Sequence, residues 1–176
     1  FQLAQRYTEA SKEWGEDHFD AALREYNIYL KGYEEIADQA GYSLANVWYE
    51  IGQVHYAKAD RLTQVEEKEG AEAEYDAAVA VYTMVLDEYS GSNFAVPAKF
   101  NAALARQMVG GEEKEREAMA AYREIVAEAE GDTYAKSAKF QIARLHFSRE
   151  EYGKAVETYH ELIGATNDST HLDVAH

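Results

Sequence analysis

The chain has 176 residues, with 17 Lys+Arg against 33 Asp+Glu, no cysteine, one proline, 14 tyrosines and 47% hydrophobic residues, which is the composition of one soluble domain with enough apolar material for a core. A formal charge of −16 excludes nucleic-acid and anionic-membrane binders, which need clustered Lys and Arg to replace counterions. The lack of cysteine excludes disulfide scaffolds, thiolate zinc sites and thiol nucleophiles, and no uncharged run approaches the ~18 residues of a membrane span, so no membrane insertion is expected.

In chain order, the apolar spacing predicts eight helices of two alternating types. The first type opens the chain as Phe1-Gln-Leu3-Ala4-Gln-Arg-Tyr7 and returns as Trp48-Tyr49-Glu-Ile51-Gly52-Gln-Val-His55-Tyr56, as Phe100-Asn-Ala102-Ala103 and as Phe140-Gln-Ile142-Ala143-Arg-Leu-His146-Phe147. The second type places a small residue, a tyrosine four later and an apolar pair beyond it: Ala22 and Tyr26, Ala78 and Tyr82, Ala118 and Tyr122, Ala155 and Tyr159. That spacing is one stripe on a helix, so these tyrosines are predicted core residues. Small residues at Ala4, Gly52, Ala103 and Ala143 predict close approach of a partner helix. The connector Leu86 to Phe100 aligns without a gap on Val126 to Phe140, with Gly91 on Gly131 and Ala98-Lys99-Phe100 on Ala138-Lys139-Phe140. The repeating object is an antiparallel helix pair, with copies at approximately 1–42, 43–92, 93–132 and 133–169, and with 170–176 starting a further helix.

These residues resemble the tetratricopeptide repeat family, whose helix pair carries Trp-x-x-Leu-Gly-x-x-Tyr followed by Ala-x-x-x-Phe/Tyr. Trp48, Ile51, Gly52 and His55 with Tyr75, Ala78 and Tyr82 form the fullest match. The connector after Tyr89 is most similar to bacterial cell-envelope members of that family. The resemblance implies an all-α, right-handed solenoid of four antiparallel helix pairs, an extracytoplasmic setting and a protein partner. The family's proline after the second helix is missing, and the spacings from Phe1 to Tyr49, Phe100 and Phe140 exceed its ~34-residue unit. The surplus falls largely in the second pair, between Gly52 and Ala78, where good helix formers predict two helices lengthened by about two turns. Gly70 is then near the bend of a projecting acidic tip. Ser43, Ser92, Asp132, Thr133, Ser169 and Thr170 precede predicted helices as candidate caps, and Pro97 falls near a helix start, where its missing N–H is tolerated.

No residue set points to catalysis, and neither a cofactor nor a small-molecule substrate is expected. His55 and His146 share a repeat position with Tyr7 and Arg106 and read as helix-packing residues. His18, His160, His171 and His176 lack the spacing of a zinc site. The carboxylate runs at Glu66-Glu67, Glu112-Glu113 and Glu128-Ala-Glu130 lack calcium-loop spacing and read as solvated faces. Gly110-Gly111 has no strand before it and no Gly-Lys-Ser/Thr after it, so it reads as a turn between helices. Asn167-Asp168-Ser169 is a glycosylation triplet in a predicted connector; an Asn167→Gln change that leaves the mass of the native protein unaltered eliminates that modification.

The remaining candidates are aromatic. By the family resemblance Phe1, Tyr49, Phe100 and Phe140, with Tyr56 and Phe147 further along, line a groove for an extended peptide or a neighbouring chain, or else pack between adjacent units. The ends of the chain are also in register: Val-Ala-His176 followed by Phe1-Gln-Leu-Ala-Gln matches Ser137 to Arg144. The expectation is a non-catalytic scaffold whose units stack head to tail into an array or filament. The alternatives are a piece of an ordinary repeat protein whose ends match by accident, and a periplasmic adaptor binding a partner peptide in its groove.

Overall fold

The computed structural model describes residues 2, 4–6, 17–33, 44–128 and 132–172, with side chains to residue 164. Every regular element among them is helical. Residues 2 and 4–6 are helical, and seven helices follow: α1 Asp17–Tyr33, α2 Leu44–Gln64, α3 Lys68–Glu88, α4 Ala95–Val109, α5 Glu112–Glu128, α6 Thr133–Ser148 and α7 Tyr152–Leu172. They form two compact bodies, Phe1–Gly110 and Gly111–His176. Within the first, α2 packs on α1, α3 on α2 and α4 on α3; within the second, α6 packs on α5 and α7 on α6.

The predicted stripes are the buried ones. Tyr26, Tyr82 and Tyr122 are fully buried, as are Ala22, Ala78 and Ala118, and Ala155 is nearly so. In the first body Phe19, Ala22 and Tyr26 of α1 meet Val47, Ile51 and Val54 of α2. Further along, Ala59 and Leu62 of α2, Tyr75, Ala78, Tyr82 and Val85 of α3 and Ala98, Ala102 and Ala105 of α4 share a second cluster. Alanine dominates the α4 side because its helix must come close to a row of tyrosine rings, and removing volume on one face is how two such faces interdigitate.

The α2–α3 and α6–α7 hairpins close by the same device. Glu66 sits at φ 64° and Glu150 at φ 59°. The next amide reaches back to the last turn, Glu67 N to Leu62 O at 2.9 Å and Glu151 N to His146 O at 2.9 Å, while Glu66 N and Glu150 N donate to Thr63 O and Phe147 O. This is the double hydrogen bond of a Schellman ending, whose left-handed position is usually glycine. Gly110 and Gly111, between α4 and α5, also have positive φ, at 78° and 85°.

Several local expectations shift. The α2–α3 bend lies at Glu66, with Gly70 in the first turn of α3, where a Cβ would come within 3.3 Å of Leu62. Both helices run to 21 residues, against 15 for α4. Asp132 caps α6 by accepting from Tyr134 N at 2.8 Å, and Ser92 accepts from Phe94 N at 3.3 Å just before α4. Ser169 and Thr170 do not precede a helix start, since α7 continues through them to Leu172; one glycine at 164 costs a helix about 1 kcal/mol, too little to end it. Asn167 therefore stands on helical backbone and not in a connector. Phe1, Tyr7, Ser43, Gly131 and the junction of the chain ends lie outside the described residues.

Candidate functional site

The predicted aromatic row divides between the two bodies. In the first, Tyr49 of α2 is half-buried, with its ring 5.7 Å from Tyr82 and 5.4 Å from Phe94. Its hydroxyl accepts from Gln53 Nε2 at 2.7 Å and from Asn101 Nδ2 at 3.0 Å. These contacts bind α2, α3 and α4 into one interface. Tyr56 stacks edge-on with Tyr75 at 5.3 Å, and Phe100 is half-buried. Here the aromatic positions serve packing between successive helices.

In the second body the equivalent residues are open. Phe140 is 43% and Phe147 61% exposed, in ring contact with Tyr159 at 5.8 Å and Tyr152 at 5.4 Å respectively. On α7, Tyr152, Val156 and Ile163 are each more than half exposed, and Tyr159, predicted as core, is only half-buried. Aligning Ala155 with Ala78 places these residues on Tyr75, Val79, Leu86 and Tyr82 of α3. All four pack in the cluster to which α4 contributes Ala98, Ala102 and Ala105. The same helical stripe is thus packed into a cluster shared with both neighbouring helices on α3 and exposed on α7, where Tyr159 falls short of the burial its sequence position implies.

Two polar constellations escaped the sequence reading because their members are far apart in the chain or hidden in a turn. Lys58 of α2 reaches Asp20 of α1 at 3.0 Å and Glu74 of α3 at 2.9 Å, and His55 Nδ1 donates to the other Glu74 oxygen at 2.7 Å. Burial alone would raise the Glu74 carboxyl, but hydrogen bonds from His55 and Lys58 outweigh it and hold it below the ordinary carboxylate range. Burial would likewise lower the Lys58 ammonium, yet Glu74 and Asp20 together raise it. The second constellation joins His146 Nδ1 to Glu151 at 2.5 Å, with Lys154 on the other carboxylate oxygen at 3.0 Å. His55 and His146 share a repeat position, and each pairs with a glutamate that follows it. Among the described residues no three His, Asp or Glu side chains are grouped to hold a metal, and no helix is long and apolar enough to cross a membrane.

One cleft of about 520 Å³ lies at the α2–α3 tip, with Ala71 and Tyr75 of α3 and Met108 and Val109 of α4 among its walls. Tyr75 is nearly buried, and its hydroxyl donates to Asp60 at 2.5 Å; burial and that carboxylate push its pKa up to about 12, so it stays a neutral donor. Compared with protein-family profiles, with curated proteins and with solved structures, the chain matches none.

Proposed function

We propose that this chain is a non-catalytic scaffold of the tetratricopeptide type, a right-handed solenoid of helix pairs in an extracytoplasmic setting, which extends by stacking a further helix on the open face of α7. The single observation that carries this reading is the apolar stripe Tyr152, Val156 and Ile163, left exposed while its counterparts Tyr75, Val79 and Leu86 on α3 pack in a cluster that α2 and α4 share. Exposed apolar side chains scattered singly are ordinary, whereas a contiguous set on one helix face marks an interaction surface. With Phe140 and Phe147 on the neighbouring helix, the stripe has the composition of an interface core, aromatic and aliphatic. In a repeat architecture stability comes from nearest-neighbour faces, so covering this one extends the array. The adaptor reading has less support, since Tyr49 and Tyr56 are engaged in packing between α2, α3 and α4.

Sedimentation velocity over a concentration series tests the reading. The unmodified chain is expected to form concentration-dependent oligomers, and Val156→Glu with Ile163→Glu to remain monomeric with unchanged helical circular dichroism. A chain that stays monomeric throughout, or a double variant that assembles equally well, would refute stacking on α7.

A further inference from the structure

We propose that the cleft at the tip of the α2–α3 hairpin is a docking site for a partner protein, which inserts one aliphatic side chain flanked by lysine or arginine. The cleft has a simple origin in helix length. At 1.5 Å per residue the 21-residue α3 spans roughly 31 Å and the 15-residue α4 roughly 22 Å. The α3 face that α4 covers around Ala78 and Tyr82 therefore outruns its cover near Ala71 and Tyr75, where Met108 and Val109 end α4. What remains is an apolar floor built from nearly buried residues, Ala71 and Tyr75, with Met108 left 46% exposed at its edge. Methionine is the side chain best able to close on apolar groups of varied shape.

Charge selects the occupant. Glu66 and Glu72 line the cleft with Lys68, and Glu67 and Glu69 stand beside them, all exposed. Two carboxylates and one ammonium thus line the cleft, within a segment that carries two further carboxylates. Arg61 is turned to Gln64 at 3.4 Å, and the ion pairs of α2 and α3 lie further along the hairpin, at Lys58 and Glu74. An apolar floor inside an acidic rim complements an aliphatic side chain between basic neighbours, in which the charges give orientation and encounter rate and the buried group gives residence. The cleft is lined by residues of the α2–α3 hairpin and α4 alone, so its occupancy does not depend on stacking at α7.

The test is fluorescence anisotropy at physiological salt with three labelled hexapeptides: leucine flanked by lysines, serine in the same lysine frame, and leucine flanked by glutamates. Saturable binding of the lysine–leucine peptide is expected, at least tenfold stronger than that of the serine peptide, with none for the glutamate peptide. Glu66→Lys with Glu72→Lys, both exposed and checked for an unchanged helical circular dichroism spectrum, is expected to weaken it tenfold or more. Glu112→Lys with Glu113→Lys, equal in charge change but on α5, is expected to leave it within twofold. Absence of saturable binding, equal binding of the serine peptide, or equal loss in both charge-reversed pairs each overturns the proposal, the last two by reducing it to general attraction to an acidic protein.

Discussion

Gly52 shows how one residue can set the distance between two helices. A Cβ at that position would lie 2.5 Å from Cε1 and 2.8 Å from Cδ1 of Tyr82, a ring that is fully buried and held against Tyr49. Alanine is favoured over glycine in a helix by about 1 kcal/mol, but overpacking a rigid core costs about 1–3 kcal/mol, so the steric effect wins. Gly52→Ala is expected to lower stability in urea unfolding at neutral pH. At Gly164 of α7 a Cβ would meet nothing within 4 Å, and there propensity acts alone: Gly164→Ala is expected to raise stability by up to ~1 kcal/mol. Equal effects of the two substitutions would contradict the close approach at Gly52 or the continuation of α7 through Gly164.

At the scale of elements, the links between α1, α2 and α3 depend on pH through Lys58 and Glu74. The Glu74 carboxyl is depressed in the fold, so its contribution is complete above the unfolded carboxylate value of about 4.3 and is lost as pH falls through the folded one. The Lys58 ammonium is raised, so its contribution is complete below about 10.4 and is lost as pH rises through the folded value. The contribution of Glu74 and Lys58 is accordingly complete between those limits and declines outside them. Glu74→Gln is expected to cost ~0.2–1 kcal/mol at neutral pH, the range of partly exposed pairs, and to make the acid side of the profile shallower. Chemical unfolding followed between pH 3 and 7 measures both, and an acid limb of unchanged steepness would show that other carboxylates govern it. The hairpin turns show a different balance: Glu66 and Glu150 hold a left-handed conformation that disfavours side chains by about 1–2 kcal/mol, because the two backbone hydrogen bonds that close each turn are available only there.

For the whole molecule the decisive opposition is between apolar faces and charge. A formal charge of −16 makes every approach of two copies repulsive, with a range set by salt: the screening length falls from about 30 Å at 0.01 M to about 8 Å at 0.15 M. If stacking on α7 is apolar, sedimentation should show association that strengthens as sodium chloride rises through that range. Association that weakens with salt would mean that ion pairs, and not Tyr152, Val156 and Ile163, hold the copies together.

Helix type, the tyrosine stripes and the small residues facing them were legible in the amino-acid sequence, because a 3.6-residue period and a recurring alanine or glycine are local signals that need no knowledge of the partner. So was the lengthening of α2 and α3, written as a run of good helix formers. Which aromatics are open and which are packed was not: Tyr49 and Phe140 occupy one repeat position and each meets the tyrosine of the following helix, and the presence of Phe94 and Asn101 around the first separates them. The same holds for Tyr82 and Tyr159, and for Lys58, whose partners Asp20 and Glu74 come from two other helices. A repeat sequence states the face each helix offers; whether another helix lies on that face is a property of the neighbours, and the tertiary structure alone decides it.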